Sequence, residues 1–407
     1  MKVQCGLSAA FAAQALGAAF PATTYGDKLR PLISSEKIQK LITTDGLMGN
    51  LEAFQAIAEA NGGNRAFGLP GYAASVDYIV SQTKNASNFR TWVQDFPALF
   101  NRVDSIKFSI SRMKPAAAAG AAAVILYSDL PTQVTAGTLS NPNPEEYVPT
   151  GYINKADGEA LVARLQAGEA IEAYFQQTQI VETRITQNVF SETVDGDPNN
   201  VVMLGAHLDS VQAGPGINDD GSGSTLILEI KRALEKFRVK NKVRFAWWGA
   251  EENGLLGSKY YNLNASEANK ILTYLNFDMV SKGYFGVFDG DGSSFNLSGA
   301  PGSAAIEKLF AEHFTKNGVN VTAARFTGGS DYQSFMNIGK PVGGLHTGTG
   351  VDQDPCYHQA CDTGGEFIPK SPVNASMITP RGLATLDIQW TAPEEGERHT
   401  GTCGFEV

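Results

Sequence analysis

At 407 residues, 43% hydrophobic and 18% charged, the chain has the composition of a globular protein with room for a large core and two domains. A formal charge of −10 and a pI near 5.1 argue against a nucleic-acid partner. Beyond the N-terminus no stretch approaches the roughly 20 apolar residues of a membrane-spanning helix.

The chain opens on Lys2 and an alanine-rich apolar run from Val3 to Phe20, with small residues at Ala18, Ala19 and Ala22. This is the pattern of a secretory signal peptide over residues 1–20. Residues 21–44 read as a linker or propeptide, since their charges are scattered and their periodicity is weak. Leu51, Phe54, Ile57 and Ala58 share one side of a helix predicted over 47–61, which Gly62-Gly63 ends. A second helical stretch follows Pro70-Gly71 through Val76, Ile79 and Val80. Residues 116–124 read as a helix feeding a strand at 123–127. A strand at 147–153, a helix at 158–165 and an alternating strand at 171–180 complete the first half.

From Val201 the rhythm becomes strand, loop, helix. Continuous apolar strands are predicted at 201–206 (VVMLGA), 243–248 (VRFAWW), 273–277 (TYLNF) and 342–345. Helices are predicted at 224–237 and 303–314, with a closing helix at 383–388 and a polar tail over 391–407. Unbroken apolar strands alternating with helices predict an α/β fold with a mostly parallel sheet covered on both faces. Ligands in such sheets bind beyond the carboxyl ends of the strands.

Candidate metal ligands fall at those ends. His207 ends the first of these strands, the pair Glu251-Glu252 the second and Asp278 the third. Asp219 lies in the glycine-rich loop GINDDGSGS (216–224), and His358 follows Pro355-Cys356-Tyr357. Taken singly, each has an ordinary explanation. A His after a strand is more often structural, Asp-Asp-Gly is most often a turn or cap, and adjacent glutamates are usually a solvated pair. Their repeated placement at strand ends is what a metal site on a parallel sheet needs, with one glutamate binding metal while its neighbour moves a proton. Cys356 and Cys361 are close enough to close a small disulfide loop in an oxidising compartment, with free thiols or zinc ligation as the other readings; Cys403 is then unpaired. Five Asn-X-Ser/Thr triplets begin at Asn85, Asn264, Asn296, Asn320 and Asn374, each a weak signal of glycosylation by itself.

The ordered motifs HLDS (207–210), GINDDGSGS (216–224), WWGAEENGLLGS (247–258), LNFDMV (275–280), GGSDY (328–332) and DPCYHQACDT (354–363) together resemble the secreted di-zinc aminopeptidases of the aminopeptidase Y and bacterial leucine-aminopeptidase type. The resemblance implies a zinc exopeptidase fold with two zinc ions per chain. His207 and Asp278 would bind one zinc, Glu252 and His358 the other, and Asp219 would bridge them. Glu251 would be the general base for attack by zinc-bound hydroxide, Tyr357 would stabilise the oxyanion, and Asp209 would orient His207. The implied substrates are peptides with a free N-terminus; a monomer without a membrane span is expected, and the leader and the Asn-X-Ser/Thr triplets point to an extracellular location or a vacuolar lumen. Other activities on the same fold are a carboxypeptidase, a glutaminyl cyclase with a single zinc, or a non-catalytic or inactive member.

AAGAAAVILYSDLP and YVPTGYINKADGEAL resemble the back half of a protease-associated domain whose front half is not visible. The domain expectation is therefore a peptidase split into residues 45–105 and 183–390 around a shortened insertion at 106–182. The chain departs from the family's pattern at Gly329, where the family usually has Arg, and after Thr363.

Overall fold

Strands that are apolar on both faces need cover on both sides. In the computed structural model, which describes residues 30–110, 123–127 and 150–364, helices supply it. The elements are α1 (Ser35–Gln39), α2 (Thr44–Ala60), α3 (Pro70–Thr83), β1 (Phe89–Ile110), β2 (Val124–Tyr127), β3 (Thr150–Ile153), α4 (Lys155–Gln166), β4 (Ala173–Thr193), β5 (Asp197–His207), α5 (Gly223–Leu234), β6 (Asn241–Trp248), α6 (Leu256–Asn262), α7 (Ala265–Ala268), β7 (Ile271–Phe277), β8 (Gly286–Phe288), α8 (Ser303–Lys316), β9 (Thr322–Ala324), α9 (Tyr332–Met336) and β10 (Val342–Leu345).

Eight strands form one sheet in the order β1-β4-β6-β5-β7-β10-β8-β9. Its centre, β6-β5-β7-β10, is parallel. β4 runs antiparallel to both β6 and β1, and β8 antiparallel to β10. The mixed, centrally parallel sheet expected from the apolar strands is present. β2 and β3 pair separately in parallel.

The period of two along each strand sorts the core. Val243, Phe245 and Trp247 of β6 join Val202, Leu204, Leu275 and Phe277 on one face, with α2, α3, α5 and α8 contributing Leu51, Phe54, Ile79, Leu226, Ile230 and Phe310. Ala246 and Trp248 face the other way, among Met203, Tyr261, Tyr274 and Phe335. On α5, Leu226, Ile227, Ile230 and Leu234 are each at most 1% exposed. Burying four such side chains stabilises the packing by about 1.5–3 kcal/mol each relative to exposure. Gly223 starts this helix because a Cβ there would lie 1.9 Å from the Phe277 carbonyl oxygen. That close approach brings the loop before α5 against the end of β7.

The structure corrects several expectations. Residues 30–43, read as linker, contain α1 and send Ile33, Ile38 and Ile42 into the core. β1 was not anticipated, and β4 is longer than the strand expected at 171–180. Together they form an antiparallel pair in register from Phe89↔Thr193 to Ile110↔Ala173, with one irregularity. This pair crosses the expected boundaries at 105/106 and 182/183, so the main sheet continues into the stretch assigned to the insertion. β8 and β9 are too short to have left a periodic signal. The signal peptide, the helix read from residue 116, the closing helix and the polar tail lie outside the described residues. Among the described residues no helix is long and apolar enough to cross a membrane.

Candidate metal centre

Parallel pairing sets the site. β5 lies between β6 and β7, with His207 opposite Trp248 and Gly205 opposite Asn276. His207, the Glu251-Glu252 pair and Asp278 therefore leave the sheet at one edge. Backbone with positive φ gathers there at Ala250 (φ 56), Met279 (φ 54) and His358 (φ 57). Each costs on the order of 1–3 kcal/mol, which surrounding packing must overcome. The left-handed turns sit directly before Glu251, directly after Asp278 and at His358 itself.

Asp219 is the centre of the cluster. Its Oδ1 lies 3.0 Å from His207 Nε2 and its Oδ2 3.1 Å from His358 Nε2. His358 Nε2 is also 3.1 Å from Glu252 Oε2, and His207 Nε2 is 3.7 Å from Asp278 Oδ1 and 4.0 Å from Glu251 Oε2. Sequence positions from 207 to 358 thus converge, and all six residues proposed as metal ligands or base belong to one cluster. Tyr357 stacks on His358 with ring centroids 3.9 Å apart and lines the same cleft.

The donor set fits a metal. His207 Nδ1 faces the Asp209 carbonyl oxygen at 3.0 Å. A carbonyl can only accept, so Nδ1 carries the proton and Nε2 offers a lone pair inward. His358 Nε2 lies equally close to two carboxylates, but one nitrogen cannot satisfy both. Asp219 Oδ2 and Glu252 Oε1 are buried without a hydrogen-bond partner. His207, Asp219 and Glu252 can bring one ligand atom each within 4.8 Å of one another, as can His207, Asp220 and Asp278. Imidazole nitrogen and carboxylate oxygen are the ligands zinc takes in hydrolytic sites.

Burial drives the electrostatics. The Glu251 carboxyl is pushed well above its usual range, first by burial, with Asp331, Asp278 and Glu252 adding to it and His207 opposing. Glu252 is pushed up to about 7, by burial and then by Asp219. At Asp219 burial acts the same way, but His207 and His358 outweigh it and hold the carboxyl below its ordinary value. At His358 burial disfavours the charge, yet Asp219 and Glu252 prevail and raise it to about 10. These directions reflect burial and crowding of like charges, an acidic excess at the floor of a cleft that divalent cations would balance.

The expected role of Asp209 changes in detail, and Asp220 gains one. Asp209 touches His207 through its backbone carbonyl, with its carboxylate oxygen 3.7 Å from Nδ1. That carboxylate instead accepts the backbone N–H of Glu251 at 3.1 Å and of Glu252 at 3.3 Å, fixing the glutamate pair. Asp220, adjacent to Asp219, is a brace: it accepts from the backbone N–H groups of His207, Gly223 and Met279 at 3.1, 2.8 and 3.1 Å. Its oxygens therefore hold β5, α5 and the end of β7 together.

Other supports were missed in the sequence. Asp362 accepts the backbone N–H groups of Asn218 and Asp219 at 2.8 and 3.0 Å. Asn218 donates to Asp354, which also receives Lys282 and the Cys356 backbone N–H. Ser330 Oγ donates to Asp278 Oδ2. Arg65, fully buried, donates to the carbonyls of Leu208, Pro215 and Gly216 and stacks over Phe54 at 4.7 Å. Asp220 and Asp362 stood inside motifs already singled out, but Arg65 carried no periodic or spacing signal. The Cys356–Cys361 disulfide is formed, with Cα atoms 5.3 Å apart, and closes the loop that carries His358.

The cleft over the cluster has a volume of about 360 Å³. Leu255, Met279, Phe288, Tyr332 and His346 line it together with the carboxylates, and Gly329 contributes no side chain to its lining. A Cβ built on Gly329 meets only Thr327 Oγ1, at 3.3 Å.

Comparison with known proteins finds a match to Peptidase family M28 over residues 188–377 and to the PA domain over residues 78–161. The latter begins within α3, upstream of the insertion boundary expected from the sequence. A probable leucine aminopeptidase 2 of Aspergillus fumigatus is 50% identical over 238 residues, covering 57% of this chain but only 47% of that relative. One from Trichophyton verrucosum is 34% identical over 390 residues, covering 81% of this chain and 78% of the relative. Among solved structures, an aminopeptidase from Aneurinibacillus sp. strain AM-1 superposes with a TM-score of 0.67 at 23% identity, covering 86% of this chain and 95% of that one, a likeness of fold.

Proposed function

Since the chain belongs to peptidase family M28, we propose that it is a zinc-dependent aminopeptidase that removes residues from the free N-terminus of peptides. The observation that carries this reading is Asp219, whose two oxygens reach His207 and His358 while Glu252 and Asp278 close the cluster. His207 and Asp278 would hold one zinc and Glu252 and His358 a second, with Asp219 between them. Bound there, zinc supplies Lewis acidity that lowers the pKa of a water and polarises the scissile carbonyl. Three ligand carboxylates leave a small positive excess against two zinc ions, which a single hydroxide balances.

Glu251 is the proton carrier. Its side chain is buried at the cluster and its backbone is fixed by Asp209, so its carboxylate is held in place to take a proton from attacking water. It then delivers that proton to the leaving amine. Tyr357 lines the same cleft, and its hydroxyl would donate to the oxyanion that develops on the carbonyl. The substrate's free α-ammonium is drawn to the carboxylate side, which makes the enzyme an exopeptidase.

The remaining assignments belong to the same reading: secretion or delivery to a vacuolar lumen, a monomer, and glycosylation. The disulfide and the exposed positions of Asn85, Asn264, Asn296 and Asn320 support passage through an oxidising compartment. The test compares a free peptide with its N-blocked form, with chelator and with restored zinc, and counts metal per chain. Release of N-terminal residues from the free peptide only, with two zinc ions bound, is expected. Cleavage of only the blocked peptide from its C-terminus would make the chain a carboxypeptidase. Cyclisation of N-terminal Gln with one zinc would make it a cyclase.

A further inference from the structure

Leu255, Met279 and Phe288 supply the apolar part of the cleft lining, and His346 stands beside them with Thr327, Ser330, Tyr332 and Thr349 as polar groups. His346 follows β10, and its ring lies nearly parallel to Phe288, at 12° and 6.1 Å, in a stack that continues to Phe326 at 4.9 Å. Its Nδ1 is 2.9 Å from the Asp278 carbonyl oxygen. A carbonyl cannot donate, so Nδ1 carries a hydrogen, and in the neutral tautomer with that hydrogen Nε2 is an acceptor. Among the described residues Nε2 has no hydrogen-bond partner, and it is not enclosed in the core. The ring itself lines the cleft beside Met279, Phe288 and Tyr332.

We propose that His346 is a specificity-determining residue whose Nε2 accepts a hydrogen bond from the substrate's N-terminal side chain, favouring amide- or hydroxyl-bearing residues over apolar residues of the same shape. The inference rests on the aminopeptidase reading for its substrate but not for its geometry. An apolar side chain against Nε2 leaves a desolvated acceptor unpaired, whereas an amide N–H pairs with it. The contribution is that of one neutral hydrogen bond, about fivefold to tenfold in relative kcat/KM.

Asparagine and leucine are close in shape, as are glutamine and methionine. The asparagine-to-leucine and glutamine-to-methionine ratios of kcat/KM are measured on matched aminoacyl p-nitroanilides for the zinc-loaded wild type, H346F and H346Q. The H346F ratios are expected to fall about fivefold to tenfold, and the H346Q ratios to recover, since glutamine keeps both a donor and an acceptor. Ratios within one variant cancel any change at the metal centre. The same ratios, read calorimetrically as Kd values of free asparagine and leucine, require no turnover. A shifted binding ratio with no hydrolysis in any variant would keep the role of His346 and overturn the aminopeptidase reading. Hydrolysis with ratios unchanged in H346F overturns the role of His346.

Discussion

Arg65→Met tests whether the metal loop depends on a residue far from it in sequence. The wild-type guanidinium is fully buried and donates to three carbonyls, of Leu208, Pro215 and Gly216, on both sides of the turn between His207 and Asp219. Hydrogen bonds from a charged donor contribute about 1.5–3 kcal/mol each. Against them stands desolvation, which lowers the Arg65 pKa to about 10 despite the nearby Asp209 and Asp362. That shift corresponds to about 3 kcal/mol. Methionine fills much of the volume and keeps contact with Phe54 but leaves three buried carbonyls without donors. The expected net loss is about 2–5 kcal/mol, or about 3–8 °C in melting temperature for a domain of this size. Zinc affinity, measured by chelator competition, should fall together with stability because the same carbonyls fix the ends of the metal loop. Arg65→Lys should lose nearly as much, since an ammonium lacks the fork that reaches three acceptors. If R65M melts within 1–2 °C of the wild type and keeps its zinc, on the scale of those expectations, the bracing role is wrong.

Glu251→Gln should lower kcat by about 10²–10⁴ while metal content, measured by mass spectrometry, stays at the wild-type value. Retained activity would remove Glu251 as the base, and lost metal would make it a ligand. Cys361→Ser opens the loop carrying His358; the short closed loop contributes about 2 kcal/mol by chain entropy, and the apparent zinc affinity should drop more than global stability does. Equal zinc affinities in the two proteins would show that the bridge does not hold His358. Glu267 is opposed by burial but drawn below its usual value of 4.5 by Lys270 and Arg244. A lowered native pKa stabilises the fold above the unfolded pKa and is lost as pH falls through the native one. Glu267→Gln should therefore be less stable than wild type at neutral pH, with the gap closing below about pH 4.5 in denaturant titrations; a constant gap would refute the ion-pair account.

Much of the site was legible because His207, the Glu251-Glu252 pair and Asp278, four of its candidate ligand and base residues, sit at strand ends, where the apolar runs stop abruptly at polar residues. VVMLGA ends on His207, VRFAWW on the turn to Glu251 and Glu252, and TYLNF on Asp278. A run of alternating or unbroken apolar residues is a local signal, and so is the residue that terminates it. The resemblance of six ordered motifs then separated ligand from base, which two adjacent glutamates cannot do by themselves. β8 and β9 escaped because strands of three residues have no period to detect. The long β1–β4 pair escaped in part because its outer half lies where the insertion was expected, and pairing across more than 60 residues leaves no local trace.

What the sequence determined by itself, then, was the class of fold, the central strands and the set of residues able to bind metal, since side-chain chemistry and periodicity are properties of short segments. What only the tertiary structure decided was how those residues are held. Asp220 and Asp219 are neighbours with the same side chain, yet one braces three backbone N–H groups and the other faces two imidazoles. Asp209 stays beside His207 through its carbonyl while its carboxylate holds the backbone of Glu251 and Glu252, and Arg65, more than 140 residues before the loop it braces, joined that loop through buried carbonyls. The physical reason is that a carboxylate or guanidinium in the interior takes whichever partners the fold brings within about 3 Å, and that choice is made by packing between segments distant in the chain.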